Sequence, residues 1–425
     1  MKKYLVLVIA FVVLVSVPLY YVLSTKSPKV EGLAELEKLP KKKELHLKVT
    51  SNRKIHSVKI TISQGGKVVE LVNVSPNANG VEFPLIVEPR KLSIADGEAE
   101  VSVFAKAGFL AKTQMKFKSI VKTTPPMVSV IDNSYLADQG SSAAVLINAK
   151  DASRVYVKEG EKTFAATNSI FDDKSRYFCI YPIDTELPLN TAITVVAEDD
   201  VGNRSQSAIK TILKRTIWRQ DTLKISDDFI RRVVNPLLGD ENLPPVESFI
   251  KVNEHLRQES ENKVKEITKK SADKILWDGP FIQLPNSQVF AHFGDKRSYE
   301  YDGKIVSHSI HYGFDLATIA NHPVEASNSG VVVYAGELGI YGNAIIIDHG
   351  LDLFSLYGHL SSVGVSQGQQ VKKHEVIGKS GMTGFAGGDH LHFAILDHGQ
   401  YVNPVHWWDK MWIEKRVLNV LKSKG

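Results

Sequence analysis

The sequence predicts a mainly β, multidomain chain, and three observations carry that expectation. Short runs alternate apolar and polar residues with period two, helical periodicity is concentrated after Ser226, and 425 residues exceed what one core usually holds. A charge-free apolar stretch at the N-terminus fits neither pattern.

That stretch runs from Tyr4 to Leu23, about twenty residues, enough to cross a bilayer. Lys2 and Lys3 before it keep the N-terminus in the cytoplasm. Val22-Leu23-Ser24 could pass as a cleavage site, but the run is longer than a secretory leader's apolar core and Tyr20-Tyr21 suits the membrane interface. Residues 1–24 are therefore expected to stay as a single-pass anchor in the cytoplasmic (inner) membrane, with the bulk of the chain on the periplasmic or extracytoplasmic side. A polar linker, 25–43, follows.

Residues 44–122 carry alternating segments such as Leu45-His-Leu-Lys-Val-Thr50, Ser57-Val-Lys-Ile-Thr-Ile62 and Ala99-Glu-Val-Ser-Val-Phe-Ala105, which read as antiparallel strands of a first β-sandwich. Thr123-Thr-Pro-Pro126 punctuates the chain. A second sandwich, 123–215, is expected from Met127-Val-Ser-Val-Ile131, Ala143-Ala-Val-Leu-Ile-Asn-Ala149 and the strand preceding Ala197-Glu-Asp-Asp-Val-Gly-Asn-Arg-Ser205. The tandem resembles bacterial immunoglobulin-like modules, which implies spacers or a surface for wall material or a cell-wall protein partner. From 216 to 279 a helical connector is expected. Ser226 caps it, Asp227 and Asp228 sit in its first turn, and Pro236 and then Leu243-Pro-Pro245 interrupt it. Beyond the interruption Val246, Phe249, Ile250, Leu256, Val264 and Ile267 recur at multiples of three to four, an apolar face suited to core packing. The remainder divides into a domain at 280–410, rich in β-branched runs, and a tail at 411–425.

Within 280–410 lie His311-Tyr-Gly-Phe-Asp315, Tyr357-Gly-His359-Leu360 and Asp389-His390-Leu-His392-Phe393. Hydrolytic zinc takes three nitrogen or carboxylate ligands and leaves a fourth position open for water. His311, Asp315 and His392 meet that requirement. On a strand, residues two apart share a face, so His390 and His392 point one way while Leu391 and Phe393 point to the core. The spacing of His311 and Asp315 suits either a helix turn or a strand end running into a loop, with Gly313 favouring the loop.

These motifs, with Gly330-Val-Val-Val, Tyr341-Gly-Asn-Ala-Ile-Ile-Ile-Asp348-His-Gly350 and Ile377-Gly-Lys-Ser-Gly-Met-Thr-Gly384 in order between them, resemble the lysostaphin/LytM-type zinc metallopeptidases over Pro280 to Pro404. The resemblance implies an antiparallel β domain with Zn2+ held by His311, Asp315 and His392 in a groove. It also implies that His359 and His390 are unliganded catalytic histidines, and that the substrate is the peptide crosslink of bacterial peptidoglycan. Relatives that have lost ligands act as noncatalytic regulators of wall amidases, the alternative function. A scaffold with a vestigial site is a third class. The filled motif positions count against both.

His308 is a rival to His311 but lacks the HxxxD spacing. Asp389 stands where many members have proline, and is read as a solvated loop residue rather than one that tunes His390. His292, His322, His349, His374, His398 and His406 lack a matched partner and read as structural. Tyr299 and Tyr301 lie in a loop expected to frame the groove. The lone Cys179, in an apolar run, reads as a buried inert thiol. A net charge of +5 with interspersed signs shows no nucleic-acid stripe.

Overall fold

The computed structural model describes residues 2–239 and 242–423, so Met1 of the expected anchor and Lys424 and Gly425 of the expected tail lie outside the described residues. Lys2–Leu23 is one helix of 22 residues with Pro18 inside it. At 1.5 Å per residue it is about 33 Å long, a match to a hydrocarbon core of about 30 Å. Its apolar side chains from Tyr4 to Tyr21 are exposed, and Val22 is half-buried. The remaining architecture is mainly β, distributed over several sheets.

Contacts divide the chain into two compact units: Met1–Pro126 with Asp151–Ser153 and Glu198–Ser205, and Met127–Lys150 with Arg154–Ala197 and Gln206–Gly425. The first unit is organised by the long strand Lys43–Gln64, which pairs with Ala78–Val87, Lys67–Val74 and Gly97–Ala107; Ala111–Val121 pairs with the last of these. Leu45, Leu47 and Val49 are buried at odd positions, then Val58, Ile60 and Ile62 at even ones. The change of phase falls where the register breaks, between Thr50 and Ile55 and between Ile55 and Ser57. An irregularity of this kind bends a strand and re-aims its side chains, so both halves feed one core.

In the second unit an eight-stranded sheet runs in the order Gln288–Ala291, Phe314–Ala317, Leu391–Asp397, Leu353–Leu360, Asn343–Asp348, Gly330–Glu337, Gln370–Val371, with Gln400–Val402 beside Leu391–Asp397. Leu353–Leu360 and Leu391–Asp397 are buried at every position. Strands covered on both faces read as continuous apolar runs, and here the two faces feed separate cores. Ile345, Ile347, Phe393 and Ile395 join Ala144, Leu146, Phe178 and Ile180 of the preceding β segment, together with Trp277, Phe281 and Trp407. Ile346, Leu356, Ala394 and Leu396 join Ile230, Val234, Phe249, Val252 and Val264 of the connector.

The connector thus packs on the sheet, beginning at Ser226, whose side chain accepts from the Phe229 N–H. Ahead of it Gln220–Lys224 is a strand, paired parallel with Lys296–Tyr301, in a stretch read from the sequence as helical. The segment read as a tail, 411–425, continues a helical stretch that runs from Lys410 to Lys422, and Ile413, Val417 and Val420 are buried in one core with Trp407. Their three- to four-residue spacing is the physical reason that the segment docks.

Candidate metal centre

Three strands bring the motif residues together on the sheet face that the connector covers. In the antiparallel pairing Asp315 stands opposite His392, and Gly358 stands opposite His392 on the other side. Directly opposed residues share a face, so Asp315 and His392 point the same way. His311 enters from the turn before Phe314–Ala317. That turn is tied by Gly294 N–H donating to the His311 carbonyl at 2.7 Å and His311 N–H donating to the Asp295 carbonyl at 3.0 Å. The strand-end and loop alternative for the His311–Asp315 spacing is the one the chain adopts. Gly313 is required there by close approach: a Cβ would lie 2.5 Å from Cε1 of His392.

His311 Nε2 and His392 Nδ1 each lie 3.0 Å from Asp315 Oδ1 and 3.1 Å from one another. Ligands about 2.0–2.1 Å from a tetrahedral zinc are separated by about 3.3 Å, so this triangle fits such an ion after a small expansion. Two ring nitrogens and one shared carboxylate oxygen pack badly without a cation at their focus. His311 Nδ1 meets the His292 carbonyl at 3.0 Å, which assigns its proton to Nδ1 and leaves Nε2 with a lone pair toward the focus. His392 Nε2 is buried with no partner among the described residues. Asp315 Oδ2 accepts from Arg297 Nη2 at 3.2 Å. Burial raises the Asp315 pKa, but the charge and hydrogen bond of His311, with the hydrogen bonds of His390 and His392, outweigh it and hold the carboxyl well below its usual range. Burial pushes His392 down to about 4.

His359 follows Gly358, and strict alternation would aim it at the opposite face. Its φ of +61°, the left-handed region, turns the ring back to 5.8 Å from His392 and 4.8 Å from His390. A non-glycine residue in this region is held there at some cost by its surroundings. Its Nδ1 meets the Thr383 carbonyl at 2.9 Å, so Nε2 is left as an acceptor. Burial, with the charges of His390 and His392, keeps this imidazole well below its ordinary pKa. His390 Nδ1 meets the Gly388 carbonyl at 2.8 Å, and its Nε2 lies 3.5 Å from Asp315 Oδ1. Burial acts to lower its pKa; the Asp315 carboxylate outweighs this and raises it.

All five residues line one cleft, with Leu223, Phe229 and Arg257 contributed by the segment ahead of the sheet. Phe385, on the cleft's other wall, lies 5.8 Å from both Phe229 and Phe249, and Arg257 lies over its ring at 5.9 Å. Tyr299 lines the cleft and meets Ser309 at 3.0 Å. Tyr301 instead donates to Asp227 at 2.6 Å. His308 meets Ser298 Oγ at 3.1 Å, away from the triangle, since three residues along an extended chain reverse the face. Asp389 is a loop tie rather than a solvated residue: Ser380 Oγ donates to it at 2.6 Å and Asn321 N–H at 3.0 Å. His349 is structural, with Nδ1 at 2.8 Å from the Ser329 carbonyl and Nε2 at 2.7 Å from Ser355 Oγ. Arg297, Tyr341 and Thr383 were not singled out as site residues from sequence. Arg297 sits among mixed charges, where a lone arginine carries no spacing signal.

Residues 309–404 match the profile of peptidase family M23. The chain is 45% identical over 96 residues to the DD-carboxypeptidase/endopeptidase Mpg of Neisseria meningitidis serogroup B, a stretch covering 23% of this chain and 22% of that protein. It is 38% identical over 141 residues to Stage II sporulation protein Q of Bacillus subtilis, covering 31% of this chain and 50% of that one. Among solved structures, the lysostaphin catalytic domain of Staphylococcus simulans is 30% identical, covering 28% of this chain and 90% of its own length, with a TM-score of 0.24. The chain thus spans about a fifth and a half, respectively, of the two curated relatives. With the profile match and these identities on one stretch, the C-terminal region of this chain belongs to peptidase family M23, the lysostaphin/LytM-type metallopeptidases.

Proposed function

We propose that the chain is a zinc-dependent endopeptidase that hydrolyses peptide crosslinks of bacterial peptidoglycan during wall growth or remodelling. The observation that carries the reading is the triangle of His311 Nε2, Asp315 Oδ1 and His392 Nδ1, each pair 3.0–3.1 Å apart, facing a cleft with two further imidazoles. When bound there, zinc supplies polarisation of the scissile carbonyl and acidifies water for attack. His359, neutral with Nε2 free to accept, takes the proton from the attacking water and returns it toward the leaving amine. His390, kept more basic by Asp315, presents an N–H to the developing oxyanion. Arg297 holds Asp315 through Oδ2 and leaves Oδ1 to the metal.

On this reading residues 1–24 anchor the chain in the inner membrane with its bulk outside the cytoplasm, where the wall substrate is. The β modules at 44–122 and 123–215 and the connector at 216–279 then set the position of the 280–410 domain. Crosslinked peptidoglycan incubated with the zinc-loaded protein is expected to release peptide fragments. His359→Ala is expected to abolish release while zinc stays stoichiometric. Zinc uptake with no cleavage of any wall preparation would replace this reading with that of a noncatalytic regulator.

A further inference from the structure

The end of the N-terminal helix is built into the first β module. Lys26 N–H donates to Asn52 Oδ1 and Asn52 Nδ2 donates to the Ser24 carbonyl, both at 2.9 Å. The Arg53 guanidinium lies 4.1 Å over the Tyr21 ring, and its Nη2 is 3.4 Å from Ser24 Oγ. A second turn closes on the same place. Gly108 N–H donates to the Lys54 carbonyl at 3.1 Å, and a Cβ on Gly108 would lie 3.0 Å from Thr25. The helix exit, the bend 51–54 and the turn 108–110 are therefore one cluster.

At that cluster Phe109 is 74% exposed and Leu110 63% exposed, in a β module whose other large apolar side chains mostly fill a core. Around them Lys26, Lys54, Lys106 and Lys112 are exposed, and none of the segments 24–27, 51–54 and 105–113 contains Asp or Glu. Farther along Gly97–Ala107, about 20–26 Å from Lys106 at about 3.3 Å per residue, the exposed lysines are paired instead, Lys118 with Glu98 at 2.9 Å and Lys116 with Glu100 at 2.7 Å. An apolar tip ringed by unopposed lysines, touching the chain two residues after a membrane-length helix, matches the layering of a lipid interface.

We propose that the Phe109–Leu110 turn inserts at the headgroup–acyl boundary beside the anchor, with Lys26, Lys54, Lys106 and Lys112 against lipid phosphates. The first module then lies on the membrane rather than hanging from a free linker. This rests on the helix being a retained anchor.

The test uses the full chain in phosphatidylcholine–phosphatidylglycerol nanodiscs, with a Cys179→Ala background and a bimane label at Phe109→Cys or at Val68→Cys, an exposed position at the other end of the module. Headgroup-level doxyl lipid should quench position 109 roughly threefold or more above position 68, and aqueous iodide should show the reverse preference. Equal iodide quenching at both positions overturns the docking. Position 109 shielded from both quenchers also overturns it, because protein then covers the tip. Failure of the chain to co-purify with the discs sinks the anchor reading and the docking together, and is visible before any fluorescence is read.

Discussion

Two buried imidazoles, His349 just past the strand Asn343–Asp348 and His392 within Leu391–Asp397, are both pushed down to a pKa of about 4 by burial, yet their nitrogens meet different surroundings. His349 has each ring nitrogen matched by a single protein group, Ser329 and Ser355. His392 shares one carboxylate oxygen and a 3.1 Å approach with a second imidazole, and its other nitrogen has no partner among the described residues. Burial and pKa alone do not distinguish a structural histidine from a ligand. What separates these two is that His392 shares its acceptor with a second imidazole and His349 does not.

Substitution can separate these cases. His359→Ala removes the proposed base and is expected to lower the hydrolysis rate by about 10²–10⁴-fold with zinc content unchanged, measured by fragment release and metal analysis. His349→Ala should leave zinc stoichiometry intact while lowering the denaturant midpoint, the contrast that would fail if His349 were a ligand.

The pH dependence of stability sharpens the same point. The His349 pKa in the fold lies below its unfolded value, so its contribution is fully present above pH of about 6.5 and is lost as pH falls toward 4, by up to about 3 kcal/mol. Urea titrations of the wild type from pH 7 to pH 4 should show that loss, and His349→Gln should flatten it. Arg297→Ala is expected to weaken zinc binding about 10- to 100-fold, read by competition with a chelator, because Asp315 Oδ2 loses its donor. The smallest effect belongs to Glu159, whose pKa burial raises to about 7 and whose Oε1 has no partner among the described residues. A raised carboxyl pKa stabilises the fold below its unfolded value and loses that contribution as pH rises through about 7. Glu159→Gln is thus expected to stabilise the protein by about 1–2 kcal/mol above pH 7, with little change near pH 4.

Much of the candidate site was legible because its chemistry is written in residue type and spacing: HxxxD, the glycine-flanked His359 and the His-Leu-His pair. The paired faces of His390 and His392 followed from strand alternation. His359 did not follow, because its left-handed backbone breaks that alternation, and a φ value leaves no mark in the order of residues. Arg297 was invisible for a related reason. Its partner lies on another strand, and only the turn at Gly294 and His311 brings the two together.

The same division holds for the whole chain. Residue order by itself determined the membrane-length helix, the β class and the identity of the candidate ligands, since hydrophobic length, period-two patterning and donor chemistry are local properties. Tertiary structure decided that the eight-stranded sheet is covered on one face by the connector and on the other by the preceding β segment with the C-terminal helix. It also decided that Asp315, His392 and Gly358 fall into register. Those outcomes depend on which distant apolar faces bury one another, and that is a property of the packed chain rather than of any segment.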